Sequence, residues 1–345
     1  MASFTIDARN RLHEILQRIG SKNVLVVGDL ILDHYIETAT RKLAREAPIP
    51  VSKVIKERSF AGGAANLAVN ITSLGSKVHI AGVVGRDYEG EELDSILRKE
   101  GIDTNAILKI DRDTTLQTRY YLDNHLHLRI DREVTDDLPK YIADKLFENI
   151  KDIIDSNKID CICISDYDKG TITPRLLKHI NILAKEMNIP VYGQPMVKHY
   201  LDFIGFTAIK SNIKEASKAT GISILNESSM HNLGINLLTR LSCKYLILTR
   251  GKKGLIAFED NSIISIPSLV EKEYRRSVGI RDAMTAILAL ALSSEADLLE
   301  AALLCNIAAA ISTQGPYTLI LSKKTYHDYI DRFEAQLITK VPLHR

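Results

Sequence analysis

Three short stretches carry residues that could do chemistry. In "SVGIRDAMTAILALAL" (277–292), Asp282 stands at the start of an apolar helix with Arg281 beside it. An acid in a first helical turn is stabilised by the helix dipole. It is also where a general base would stand, taking a proton from a hydroxyl while the helix N-terminus holds developing phosphate charge. In "SNIKEA" (211–216), Asn212 and Glu215 are three apart and so share one face of a helical turn. An amide and a carboxylate so placed suit a hydrated Mg²⁺. The same two residues also make a capping box. In "LTRGKKGL" (248–255), an apolar strand breaks at Thr249 and Arg250 before a glycine turn, and these two could hold a phosphate. There is no Walker pattern in the chain, and no GxGxxG follows the first strand, which argues against a dinucleotide-binding dehydrogenase.

These residues need a scaffold, and the chain of 345 residues is long enough for one large α/β domain. Apolar strand runs alternate with helical stretches from "KNVLVVGD" through "GGAANLAVNITSLG", "KVHIAGVVG", "DCICISDY" and "KYLILTRG", with late helices at 280–293, 296–313 and 323–338. This alternation predicts a doubly wound, mostly parallel sheet with helices on both faces. Residues 34–60 and 114–133 break the rhythm with period-two alternation. They predict a small antiparallel sheet standing off the main one as a lid. No linker or repeat divides the chain, so residues 1–345 read as one domain. Ligands of open α/β sheets bind at the carboxyl ends of the strands. That rule singles out Asp29, Asp33, Ser165–Asp166–Tyr167, Asn212, Glu215, Thr249–Arg250–Gly251 and Asp282 as a set.

Composition excludes other classes. The net charge of +2 comes from 45 Lys and Arg against 43 Asp and Glu, leaving no basic field for nucleic acid. No apolar run is long enough to span a bilayer, and the N-terminal stretch reads as an amphipathic helix without a signal-peptide core. Cys161, Cys163, Cys243 and Cys305 have no metal or CxxC spacing and read as core residues in a reducing compartment, which predicts a cytoplasmic protein. His125 and His127 share one face of a strand, a pairing that suits surface or ligand contact better than a metal.

The sequence resembles the carbohydrate kinases of the ribokinase (PfkB) type, and within them the D-glycero-β-D-manno-heptose-7-phosphate kinases. The motifs are "VVGDLILDHY" (26–35), "REAPIPV" (45–51), "GGAANLAVNITSLG" (62–75), "GVVGRDYEG" (82–90), "LRIDRE" (128–133), "SDYDKG" (165–170), "NIKEA" (212–216) and "LTRGKKG" (248–254). The resemblance implies a ribokinase-like fold and transfer of the ATP γ-phosphoryl to a sugar-phosphate hydroxyl. By it, Asp29, Asp33, Gly62, Gly63 and Asn66 would grip the sugar, with Arg119 and Arg129 closing over it. Asp166 and Lys169 would lie near the phosphate end. Asn212 and Glu215 would position Mg²⁺ through water, and Thr249, Gly251 and Gly254 would line the ATP phosphates. Asp282 would be the base, with Gly279 and Arg281 completing the catalytic turn. The lid would pair two copies into a homodimer. The chain stops soon after its last helix, so no nucleotidyltransferase domain is expected.

The departures fall on the phosphoryl-transfer side. The family's D-[VT]-[TS]-G-A-G-D is "RSVGIRD" (276–282) here, its V-D-P-K is "YGQPM" around Gln194 and Met196, and its T-K-x-R lysine is Gln117. Its P-N-x-x-E reads "SNIKE", which keeps both functional ends. A turn that needs bare glycines would strain Ile280 and Arg281 by about 1–3 kcal/mol each. If the turn changed shape instead, each lost anion-hole donor would slow transfer by about 10²–10³. Two accounts follow. Either the chain binds a sugar phosphate without turning it over, or Arg281 replaces the missing donors and phosphoryl transfer persists.

Overall fold

The computed structural model describes residues 6–270, 278–313, 320–332 and 339–342. Helix α1 (Ile6–Arg18) leads into β1 (Asn23–Gly28), and β2 (Leu30–Leu43) and β3 (Pro50–Gly63) form a long hairpin. Next come α2 (Ala64–Ser73), β4 (Lys77–Gly85), α3 (Tyr88–Lys99) and β5 (Asp103–Ile110). A second hairpin, β6 (Thr115–Leu122) and β7 (His125–Arg132), precedes α4 (Lys140–Ser156), β8 (Cys161–Ser165), α5 (Pro174–Glu186) and β9 (Val191–Gln194). Then follow β10 (Ala208–Asn212), α6 (Ile213–Thr220), α7 (Glu227–Arg240), β11 (Tyr245–Thr249), β12 (Leu255–Glu259) and β13 (Ser262–Ile266). The chain ends with α8 (Ile280–Leu292), α9 (Leu298–Ser312), α10 (Lys323–Arg332) and β14 (Thr339–Pro342).

The main sheet runs β14-β13-β12-β11-β10-β9-β8-β1-β4-β5. It is parallel from β11 to β5, and β12 to β14 add an antiparallel edge. Strand alternation feeds two cores. Val24, Val26, Cys161 and Cys163 pack with α1, α2, α8 and α9 on one face, while Leu25, Val27, Ile162 and Ile164 pack with α4, α5 and α7 on the other. All four cysteines are buried and free, as core residues should be. Strand β1 lies between β8 and β4, so chain order runs outward from it in both directions. That reversal opens a crevice at the carboxyl ends of the strands.

The lid is a four-stranded sheet in the order β3-β2-β6-β7. Both hairpins are antiparallel, and the two are joined by a parallel pairing of β2 with β6. The second hairpin turns on Asp123 and Asn124, both at positive φ (48° and 65°), the geometry that a two-residue turn needs to match strand twist. The lid strands begin nearer the core than the period-two pattern implies. Leu30 to Asp33 and Ala61 to Gly63 are buried, so the lid grows out of the crevice wall itself.

Candidate active site

Asp282 lies in the first turn of α8 and is 2% exposed. Three donors hold its carboxylate. Asn66 Nδ2 donates to Oδ2 at 2.8 Å, and Tyr167 Oη and Gln194 Nε2 donate to Oδ1 at 2.7 and 3.0 Å. Asn66 comes from the start of α2, Tyr167 from the loop after β8, and Gln194 from the end of β9. Burial pushes the Tyr167 phenol well above its usual range, with the Asp282 charge acting the same way, so the phenol stays a donor.

Towards the lid, Arg119 Nη1 donates to Asp33 Oδ1 at 2.5 Å, and Nη2 donates to Gln117 Oε1 at 2.9 Å. The guanidinium also sits over the Tyr35 ring, 5.3 Å from its centroid. Strand register explains the cluster, because Asp33 pairs with Gln117 and Tyr35 with Arg119 along β2 and β6. Burial raises the Asp33 carboxyl above its usual range, against the opposing pull of Arg119. Gly62 is small for a local reason: a Cβ there would come within 2.9 Å of the Asp33 carboxylate. Arg129 Nη2 reaches Asp131, two residues along the same strand β7, at 2.5 Å, and the Arg129 charge is felt at Asp33.

Several expected positions are also tied into the scaffold. Asp29 is buried and bound to the backbone. Its carboxylate accepts the backbone N–H groups of Tyr167 (2.7 Å), Lys169 (3.1 Å) and Thr171 (3.0 Å), which ties the 166–171 loop to β1. Gly63 is the N-cap of α2 at φ 58°, with the Ala64 amide on the Asp29 carbonyl. Asp166 accepts the amides of Asp168 (2.8 Å) and Met196 (3.2 Å), and burial together with the Asp29 charge raises its carboxyl to about 7. Lys169 Nζ pairs with Glu133 at 2.7 Å. Arg250 turns away from the crevice to Ser265 Oγ (2.9 Å) and the carbonyls of Lys253 and Leu255.

The turn expected to face the phosphoryl group differs from expectation in kind. Ile280 and Arg281 are the first residues of α8 and have ordinary helical φ; only Gly279, the N-cap, is left-handed (φ 84°). The strain expected of two bulky residues is therefore absent, because the helix begins one residue after the one glycine the turn requires. The side chain of Arg281 carries the change. Its Nη1 donates to Glu215 Oε1 at 2.6 Å and approaches Met196 Sδ at 2.9 Å, and Nη2 donates to the Pro195 carbonyl at 2.6 Å. The guanidinium lies 5.4 Å from the centroid of the Tyr167 ring. Arg281 thus ties α8 to the start of α6 and to the turn after β9.

Lys210 is the buried residue of the crevice that sequence reasoning missed. It stands at the centre of β10 and is 2% exposed. Its Nζ donates to Gln194 Oε1 at 2.9 Å and to the Arg281 carbonyl at 2.7 Å. Thr285 Oγ1 donates to the same Gln194 oxygen. Burial, reinforced by Arg281, lowers the Lys210 ammonium to about 7. The available signal was a lone lysine inside the apolar run "TAIKSN".

Asn212 and Glu215 form the capping box of α6. Asn212 Oδ1 accepts the Lys214 amide at 2.9 Å, and Glu215 Oε2 accepts the Asn212 amide at 3.1 Å. With Arg281 on Oε1, both Glu215 oxygens and the Asn212 oxygen already have donors. Each of these oxygens keeps a free lone-pair site, but the Arg281 guanidinium on Oε1 opposes a divalent cation there, so the arrangement fits a hydrated Mg²⁺ poorly. Beside it opens a cavity of about 380 Å³ that brings together Lys210, Asn212, Glu215, Thr249, Gly251, Gly254 and Arg281, with Leu255, Met284 and Ala309 on its apolar wall.

Residues 21–324 match the profile of the pfkB family carbohydrate kinases. The bifunctional protein HldE of Helicobacter hepaticus is 34% identical over 292 residues, covering 84% of this chain and 60% of that protein. The bifunctional protein HldE of Geobacter metallireducens is 34% identical over 332 residues, covering 94% and 67%. This chain therefore spans about 60% of the length of its Helicobacter relative. Among solved structures, phosphofructokinase-2 of Escherichia coli in complex with substrates and products superposes with a TM-score of 0.75 at 17% identity, over 90% of this chain and 99% of that one. Arabidopsis thaliana ribokinase complexed with ribose and ATP gives 0.68 at 16%, over 91% and 100%. The fold is ribokinase-like, and the chain belongs to the pfkB family of carbohydrate kinases.

Proposed function

We propose that this chain binds a sugar phosphate of the heptose 7-phosphate type in the Asp33–Asn66–Arg119 pocket, and that its own Arg281 holds phosphoryl transfer from ATP far below the rate of an intact site. The observation that carries this reading is the Arg281–Glu215 pair at 2.6 Å, with the second guanidinium nitrogen on the Pro195 carbonyl. A fixed cation of the chain neutralises the carboxylate that the resemblance assigns to the metal, and Met196 and Gln194 add no charge in compensation. The sugar side keeps its carboxylate, amide and guanidinium. The lid supports a homodimer: Leu126, Leu128 and Ile130 are each about half exposed along one face of β7, while Arg129 and Asp131 alternate onto the other face. Among the described residues, no helix is long and apolar enough to cross a membrane.

A second reading, an active kinase with Arg281 as its in-built cation, draws on Asp282. Three donors leave its carboxylate one free lone-pair site, on Oδ2, where a substrate hydroxyl could give up its proton. One experiment separates the two. The melting temperature of the chain is followed with heptose 7-phosphate, and ADP release is followed with heptose 7-phosphate and Mg²⁺-ATP. The proposal expects a melting shift and turnover near background. Brisk turnover by the native chain sinks it, and turnover that then falls in Arg281→Ala establishes the second reading.

A further inference from the structure

The cavity beside α8 is charged as if its cation were already in place. Lys210 and Arg281 supply two basic side chains at its polar end, and Glu215 supplies one acid. A divalent ion entering there would meet a guanidinium 2.6 Å from the carboxylate it needs, and an Asn212 oxygen already accepting a backbone amide. Mg²⁺ demands near-ideal oxygen geometry and dehydrates reluctantly, so it competes poorly for a carboxylate that is already paired. A guanidinium, by contrast, offers five donors in a planar fork that matches phosphate oxygens. Arg281 Nε is buried and has no hydrogen-bond partner, so one donor of that fork is unassigned. The Lys210 ammonium has a third hydrogen beyond those given to Gln194 and the Arg281 carbonyl. The first turn of α8 adds amide N–H groups that have no intrahelical acceptor.

We propose that the polyphosphate tail of a nucleotide binds this chain free of divalent metal, with the Arg281 guanidinium standing where the ion would otherwise sit. This rests on the reading of the cavity as the nucleotide side of a kinase-type site, and it assigns that cavity a ligand class: the uncomplexed, more negatively charged nucleotide. Arg281 offsets Glu215, and Lys210, whose ammonium burial disfavours, adds up to one further positive charge, so the polar end is neutral to positive without any metal and Mg²⁺ on the ligand adds no attraction. Phosphate oxygens would share the Arg281 fork with Glu215, which keeps its second oxygen on the α6 cap.

Titration calorimetry of the full chain with ATP, once in EDTA and once in excess MgCl₂, tests this. Binding in EDTA is expected to be as tight as in MgCl₂ or tighter. Binding at least tenfold weaker in EDTA overturns the proposal, and so does the absence of ATP binding in both buffers. Inorganic triphosphate in EDTA is expected to compete with ATP; failure to compete overturns recognition through the polyphosphate. In Arg281→Ala, checked for folding by its thermal transition, binding in EDTA is expected to fall at least tenfold while binding in MgCl₂ is retained. An equal loss in both buffers, or no loss in either, counts against the idea. Arg281→Lys, which keeps the charge, is expected to bind in EDTA more tightly than Arg281→Ala, and equality of the two overturns the electrostatic account. The melting shift with heptose 7-phosphate alone belongs to the proposed function, and its outcome is independent of these titrations.

Discussion

The two halves of the crevice both set a guanidinium against a carboxylate, but they build the pair differently. On the side proposed for the sugar, Asp33 and Arg119 project from paired strands, and each side chain is 6% exposed. Strand register fixes their spacing, and the Tyr35 ring backs the guanidinium. On the phosphoryl side, Arg281 and Glu215 project from the first turns of two helices, and each is 21% exposed. No register holds them together; a long side chain spans the gap. The comparison teaches that a buried pair set by a sheet is part of the fold, whereas a partly exposed pair between helix ends competes directly with whatever ligand the helix ends could hold.

Removing one partner of the sheet-built pair should have the largest effect. Arg119→Ala leaves Asp33 buried without its counter-ion and should cost about 3–5 kcal/mol of stability, read by denaturant titration. A loss below about 1 kcal/mol would show that the two pairs are equivalent, contrary to the comparison. The matching experiment on the other side should release function while leaving stability nearly unchanged. Ile280→Ala with Arg281→Gly frees Glu215 and should raise ATP-dependent turnover by about 10²–10³. No gain would mean that the Gln194 and Met196 changes matter more than the plug.

Acid–base behaviour sharpens the contrast between the loop behind the sugar pocket and the strand behind the phosphoryl side. Asp166 is raised from 3.8 to about 7 by burial and the Asp29 charge. A raised folded-state value favours the folded protein at low pH, so this contribution is full below about 4 and is lost as pH climbs through 7. Lys210 is lowered from 10.5 to about 7, so its contribution to stability grows as pH rises from 7 to 10.5. Melting temperatures measured from pH 5 to 7.5 should therefore decline less in Asp166→Asn than in the native chain. Parallel curves would contradict the burial argument. The smallest effect belongs to Arg129→Ala. Its pair with Asp131 is largely exposed, so stability should change by less than about 1 kcal/mol. Its effect should instead be read in the sugar-phosphate melting shift, since Arg129 lies near Asp33.

Much of the architecture is legible without coordinates. Buried strands next to amphipathic helices dictate a parallel sheet, and the two alternating segments dictate a lid, because both patterns depend on neighbours only a few residues away. Asp282 and the Asn212–Glu215 capping box are found for the same reason. The structural contacts of Asp29 are not legible, because an acid after a strand looks alike whatever it faces, and its three backbone amides come from 138 to 142 residues further on. Lys210 escapes notice because its importance depends on Gln194 and Arg281, which lie 16 and 71 residues away.

The order of residues alone determined the alternating elements, which follow from local periodicity, and its motifs carried the resemblance by which Gly279–Ile280–Arg281 stands where the family has a bare glycine turn. Only the tertiary structure decided that the turn is unstrained and that Arg281 reaches Glu215, 66 positions earlier in the chain. Backbone geometry at a helix start and the reach of one side chain across a crevice depend on where two helices are packed, and no local pattern encodes that distance.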